Sequence, residues 1–139
     1  MLHEKISIVE RELTGIVIPG RGLGSVRMGH SDTSDRMEEL LGFSLVPGTL
    51  NVRLSRPYDR TLTSRYLAAT ELGPRWERET GQAGYFLMSV LIAGRYRGVA
   101  FQADEPEYPA DQVELLCEVH LRDSLGLNDG DVISFLVLP

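Results

Sequence analysis

From Val113 the chain reads "VELLCEVH", with Val113, Leu115, Cys117 and Val119 at alternate positions and Glu114, Leu116, Glu118 and His120 between them. A repeat of two belongs to an extended strand, whose successive side chains point to opposite faces, so this stretch predicts a half-buried strand. Leu50, Val52 and Leu54 fall on one face in the same way. Further strand-like stretches run over Leu13–Pro19, Val26–Met28, Tyr85–Ile92, Gly98–Phe101 and Val132–Leu138. They are short, separated by turns, and too close together for regular crossover helices. A small barrel or sandwich is therefore expected, and not a doubly wound parallel sheet.

Helices are few. Asp32 or Thr33 can cap a segment whose Met37, Leu40 and Leu41 fall at i, i+3 and i+4, with Gly42 as its stop. A second helical stretch is expected over Leu62–Leu72. "LRDSLGL" reads as one short turn of helix ending at Gly126, and "NDGD" as a turn into the last strand.

No repeat, low-complexity tract or linker divides the 139 residues, so one domain is expected over residues 1–139. No run of 18 apolar residues and no basic-then-apolar leader is present, which predicts an untargeted protein in the cytoplasm with no membrane partner. The single cysteine, Cys117, excludes an internal disulfide framework and a cysteine-based zinc cluster. His3, His30 and His120 lack metal-ligand spacing. A net charge of −6 and the lack of a helix-turn-helix segment argue against nucleic acid as a partner. Thirteen of the fourteen basic side chains are arginine, whose rigid fork suits phosphate or carboxylate, although surface composition alone also accounts for the bias. No nucleophile elbow or paired-carboxylate pattern stands out, and no general base is assigned.

Two stretches carry chemistry. "PGRGLGS", Pro19 to Ser25, sets Gly20, Gly22 and Gly24 at alternate positions between strand-like stretches. Glycines let backbone N–H groups approach an anion, so the loop suits phosphates; a ligand-free glycine hairpin is the other reading. In "LVPGTLNVRL" a Pro-Gly turn is followed by Thr49 and Asn51, which alternate along a strand. Their hydroxyl and amide oxygens suit a hard cation such as Mg²⁺, but being neutral they need nucleotide phosphates to complete its shell. The other reading is that they satisfy turn hydrogen bonds.

"GIVIPGRGLGSVRM", "LLGFSLVPGTLNVRL" and "HLRDSLGLNDGDVISFLV", in this order and spacing, resemble the archaeal CTP-dependent riboflavin kinases, with Gly-Thr-Leu-Asn as the most specific element. The resemblance is carried by residues 15–54 and 112–137 and is weak over 55–97. It implies a mainly β fold, a small six-stranded cradle-loop barrel with a few short helices, and phosphorylation of riboflavin to FMN by CTP. It further implies that Gly20, Arg21, Gly22, Leu23, Gly24 and Ser25, with Val119, His120, Leu121 and Arg122, contact the nucleotide. Thr49 and Asn51 would hold Mg²⁺, and Glu114 and Pro106 would contact the flavin or another small alcohol. The sequence departs from the family's pattern at Leu23, where an acid is usual, at His120, where lysine is usual, and at Pro106 within "ADEPEY", where threonine is expected. Asp104, Glu105 and Glu107 would repel a product phosphate there, so FMN is expected to bind no more tightly than riboflavin, with Arg95 and Arg97 as the alternative acceptor contacts. A non-catalytic nucleotide- or ligand-sensing barrel is the second functional reading.

Overall fold

A computed structural model describes residues 11–20, 38–46, 49–72 and 83–139. Seven strands are found there: β1 Glu12–Ile18, β2 Leu50–Leu54, β3 Arg65–Ala68, β4 Gly84–Ile92, β5 Tyr96–Ala103, β6 Gln112–Cys117 and β7 Val132–Val137. All neighbours are antiparallel, in the order β3-β4-β5-β6-β2-β1-β7. β7 then returns to β4, with Val90, Leu91 and Ile92 opposite Val137, Leu136 and Phe135. That pairing closes β4, β5, β6, β2, β1 and β7 into a six-stranded barrel. Closure leaves the ring without a free edge. The length of β4 allows a further attachment: its first half, Gly84–Leu87, pairs with β3, and only its second half pairs with β7.

The barrel is filled from alternate positions of its strands. Leu50, Val52 and Leu54 of β2, and Val113, Leu115 and Cys117 of β6, pack inward with Met88, Val90, Ile92, Phe135 and Val137. Each such side chain contributes about 1.5–3 kcal/mol by leaving water. A second apolar layer lies outside the ring, where Tyr85, Leu87, Val99, Phe101 and Leu116 are buried together. Leu40, Leu41, Phe43 and Tyr108 pack over it. β6 is therefore covered at Leu116 as well as inside, more deeply than its alternation with glutamates predicts.

The strands agree with the periodic stretches of the sequence to within a few residues at their ends. Leu40 and Leu41 lie in a helical turn over 38–41, and Gly42, at φ 83°, ends it by donating its N–H to the Glu38 carbonyl at 2.8 Å. The expected strand Val26–Met28, the caps at Asp32 or Thr33, and Met37 lie outside the described residues.

The helix expected over Leu62–Leu72 is replaced by three short pieces. They are a 3₁₀ turn over Arg60–Leu62 capped by Asp59, strand β3, and the four-residue helix α1, Ala69–Leu72. Tertiary pairing overrides local preference here: Leu67 is fully buried in the outer layer and its neighbours pair with Gly84–Leu87. After β6, helix α2 runs over Leu121–Leu125 and stops at Gly126, φ 63°, where the sequence placed its end. The Asn128–Asp131 turn is closed by the Asp131 carboxylate, which accepts from Asn128 N–H at 2.8 Å.

Candidate functional site

β2 lies between β1 and β6, and this order sets out the site. Ile18 of β1 is opposite Asn51, so Pro19 and Gly20 leave the barrel beside Asn51. Gly20 is exposed, whereas Arg21, Gly22, Leu23, Gly24 and Ser25 lie outside the described residues. On the other side, Glu114 of β6 is opposite Asn51 and Leu115 is opposite Leu50. Past Cys117 the chain turns through Glu118 and Val119 into α2, whose N-cap is His120: its Nδ1 accepts from Asp123 N–H at 3.4 Å.

A cavity of about 170 Å³ opens at this junction, lined by Thr49, Leu50, Cys117, Val119, His120, Leu121 and Arg122. Thr49 and the four residues Val119 to Arg122, some seventy positions apart in the chain, thus share one cleft. Arg122 lies at its edge and donates to Asp129 at 2.7 Å, an exposed ion pair that an incoming phosphate would compete with. Cys117, buried in the core, donates its thiol to the Arg97 carbonyl at 3.2 Å, and burial pushes its pKa up, so it is an inert lining group.

Thr49 and Asn51 reach the outer side of β6 by different partners. The Thr49 hydroxyl donates to Glu114 Oε1 at 3.4 Å, while Asn51 Oδ1 accepts from Gln112 Nε2 at 3.1 Å. Asn51 is 9 % exposed, one of two buried polar residues among those described. A hydroxyl that gives away its hydrogen keeps its lone pairs, and an amide oxygen has two, so each oxygen retains capacity for a cation. These are hard donors that suit Mg²⁺. Among the described residues no group of three or more His, Cys, Asp or Glu side chains is placed to hold a metal ion. Thr49 and Asn51 are neutral, so a cation held by them would need negative charge from other groups.

A larger cleft of about 420 Å³ is lined by Tyr58, Arg60, Gln102, Asp104, Glu105, Pro106, Tyr108 and Ala110. Pro106 belongs to it directly. Glu114 joins it through Tyr108, whose hydroxyl donates to Glu114 Oε2 at 2.9 Å. Burial, then the Glu114 charge, drives the Tyr108 pKa far above its ordinary value of 10.0, so the phenol remains a donor. The Tyr66 hydroxyl holds Asp104 Oδ2 at 2.6 Å on the rim. Arg60, stacked 4.1 Å over the Phe86 ring, brings a cation to the same wall as Asp104 and Glu105. Arg95 and Arg97 sit elsewhere: Arg95 stacks on Tyr96, and Arg97 pairs with Glu118 and lies over Phe43. Neither lines the cleft.

The loop that bears Pro106 and Tyr108 is fastened by Gln102. Its side-chain amide, 2 % exposed, approaches the carbonyls of Pro109, Ala110 and Gln112 at 3.4, 3.1 and 2.8 Å. Two hydrogens cannot serve three acceptors equally, so the shorter two dominate. Replacing Gln102 with leucine is expected to lower unfolding free energy by about 2 kcal/mol through the orphaned carbonyls. Urea denaturation measures this, and a midpoint unchanged at constant slope would show that the amide anchors nothing. Of the residues lining this cleft, the sequence singles out Asp104, Glu105 and Pro106, whereas Tyr58, Arg60, Gln102 and Tyr108 carry no motif.

The architecture is that of a closed six-stranded barrel with two polar clefts, whose lining residues Thr49 and Tyr108 both hydrogen-bond to Glu114. Residues 17–137 match the family model CTP-dep_RFKase, described as "Domain of unknown function DUF120", and the chain belongs to that family. A riboflavin kinase of Methanocella arvoryzae is 32 % identical over 121 residues, covering 87 % of this chain and 54 % of the relative. One from Methanococcoides burtonii is 32 % identical over 129 residues, 91 % of this chain and 56 % of its own. A third, from Methanosarcina acetivorans, is 34 % identical over 124 residues, 88 % and 52 %. The chain thus spans little more than half the length of these curated relatives. No helix of the described residues is long and apolar enough to cross a membrane.

Proposed function

We propose that this protein is a CTP-dependent riboflavin kinase, transferring the γ-phosphate of CTP to the 5′-hydroxyl of riboflavin as a single domain over residues 1–139 in the cytoplasm. The observation that carries the reading is the adjacency of the two clefts in a member of this family: Thr49, on the smaller, and Tyr108, on the larger, meet at Glu114. In this reading the nucleotide occupies the smaller cleft, between the Gly20–Ser25 loop and Val119–Arg122. Riboflavin, or another small alcohol, enters the larger cleft against Pro106.

Phosphoryl transfer needs alignment and charge neutralisation more than covalent help. The acceptor oxygen forms a bond to the γ-phosphorus while the bond to the leaving CDP oxygen breaks. Mg²⁺, when bound, would neutralise the phosphates. Thr49 and Asn51 would hold that ion, the loop's N–H groups would cradle the phosphates, and Arg122 or Arg21 would add a donor fork.

Incubation with Mg²⁺, riboflavin and each of CTP, ATP and GTP, followed by chromatography, should give FMN with CTP. CTP or CDP at a hundredfold excess over Kd should stabilise the fold by about 2.7 kcal/mol and raise the melting temperature more than ATP does. Equal shifts sink the cytidine assignment; a CDP shift without FMN favours the ligand-sensing barrel.

A further inference from the structure

Glu114 of β6 links residues of the two clefts by hydrogen bonds: its Oε1 receives the hydroxyl of Thr49, which lines the smaller, at 3.4 Å, and its Oε2 that of Tyr108, which lines the larger, at 2.9 Å. Its backbone is fixed opposite Asn51, but a glutamate side chain has three rotatable bonds, so the direction of the carboxylate depends on what holds it. The shorter of these two bonds comes from Tyr108. That phenol is itself held, since its ring packs on the outer apolar layer and the loop bearing it is fastened by Gln102.

We propose that Tyr108 is a positioning residue for phosphoryl transfer: through Glu114 it orients the Thr49 hydroxyl, and so the ion-holding pair, relative to the acceptor in the larger cleft. This rests on the kinase reading above and adds to it a role for a side chain that contributes alignment in place of affinity. A misplacement near 1 Å at a reacting pair costs on the order of a hundredfold in rate, so a single hydroxyl acting through one carboxylate has enough leverage to matter.

Tyr108→Phe keeps the ring and its packing and removes only the donor. Three quantities are measured on the full chain: CDP affinity by calorimetry in Mg²⁺ and in EDTA, kcat and KM for riboflavin with CTP, and the melting temperature. The expected result is a loss of about fivefold or more in the Mg²⁺-dependent gain in CDP affinity, with affinity in EDTA unchanged. The kcat should fall about tenfold while KM for riboflavin stays within twofold. Because Tyr108 acts through Glu114, Tyr108→Phe in a Glu114→Gln background should cost no further kcat or Mg²⁺-dependent CDP affinity.

A rise in KM with kcat and CDP affinity retained would make Tyr108 an acceptor contact and overturn the proposal. So would additive losses in the double variant, or a melting temperature that drops with every ligand parameter unmoved. Should the unmodified protein bind CDP with Mg²⁺ yet make no FMN, the kinase reading fails alone and the CDP measurements still decide the role of Tyr108. Absence of CDP binding by the unmodified protein overturns both.

Discussion

Valine at Gly98 is expected to lower the melting temperature by about 10 °C or more, from a cost of about 3 kcal/mol. Gly98 sits in β5 opposite Val90 of β4 and Cys117 of β6, with neighbours on both sides. A Cβ there would meet the Leu116 carbonyl oxygen at 2.6 Å and Ile92 Cδ1 at 3.3 Å. The first obstacle is backbone within a closed ring, which cannot yield without moving β6 and, with it, Glu114. Valine adds two methyl groups to that collision. Gly94 offers the comparison: it lies in the tight β4–β5 turn at φ 69°, and nothing comes within 4 Å of an added Cβ. Gly94→Ala should cost only about 1 kcal/mol, from backbone strain alone. Thermal melts of both variants decide the matter, and a Gly98→Val protein melting within about 3 °C of a Gly94→Ala protein would show that β6 gives way easily.

Asn51→Ala is expected to weaken CDP binding in Mg²⁺ by about ten- to a hundredfold, equivalent to about 1.4–2.8 kcal/mol, and to change it little in EDTA. The amide oxygen is assigned to the ion, so its loss should be felt only when the ion is there. The structure adds a second consequence: Gln112 Nε2 loses its acceptor at 3.1 Å, and stability should fall by about 1 kcal/mol whatever the ligand. The two effects separate cleanly, because one depends on metal and the other does not. Asn51→Asp, which keeps an acceptor for Gln112 and adds charge, should retain Mg²⁺-dependent binding. Equal losses for Asn51→Ala in Mg²⁺ and EDTA would reduce Asn51 to a strand residue that satisfies Gln112.

What was legible in the sequence follows from which interactions are local. β2 and β6 were readable because burial of one face imposes alternation on the residues themselves, and α2 because its stop, Gly126, is one residue past its end. β3 was not. Only Leu67 of its four residues is buried, and its hydrogen-bonding partner begins sixteen positions later, at Gly84 opposite Ala68. Leu116 looked like the odd member of a polar face, yet it is buried beneath the outer layer that Leu40, Leu41 and Phe43 help to cover. Thr49, Glu114 and Val119–Arg122 were marked by motif, and the fold gathers Thr49 and Val119–Arg122 around one cavity. The larger cleft was only half visible, through Pro106. Arg60, Gln102 and Tyr108 have no motif, because their significance arises when a loop folds back over β5 and is caught by one buried amide.

The pairing of β1 with β7 bears on how the chain must be made. Thr14 and Ser134 share a hydrogen bond across 120 positions, so one edge of β1 waits for the last strand. At about 5–20 residues per second, 120 positions take roughly 6–24 s on the ribosome. Throughout that interval the edge carries unmatched N–H and C=O groups beside Ile16, an apolar side chain still 46 % exposed after folding. A nascent chain halted before Val132 is thus a template for strand addition by its neighbours, and truncations lacking β7 should accumulate as aggregates while the full chain stays in solution.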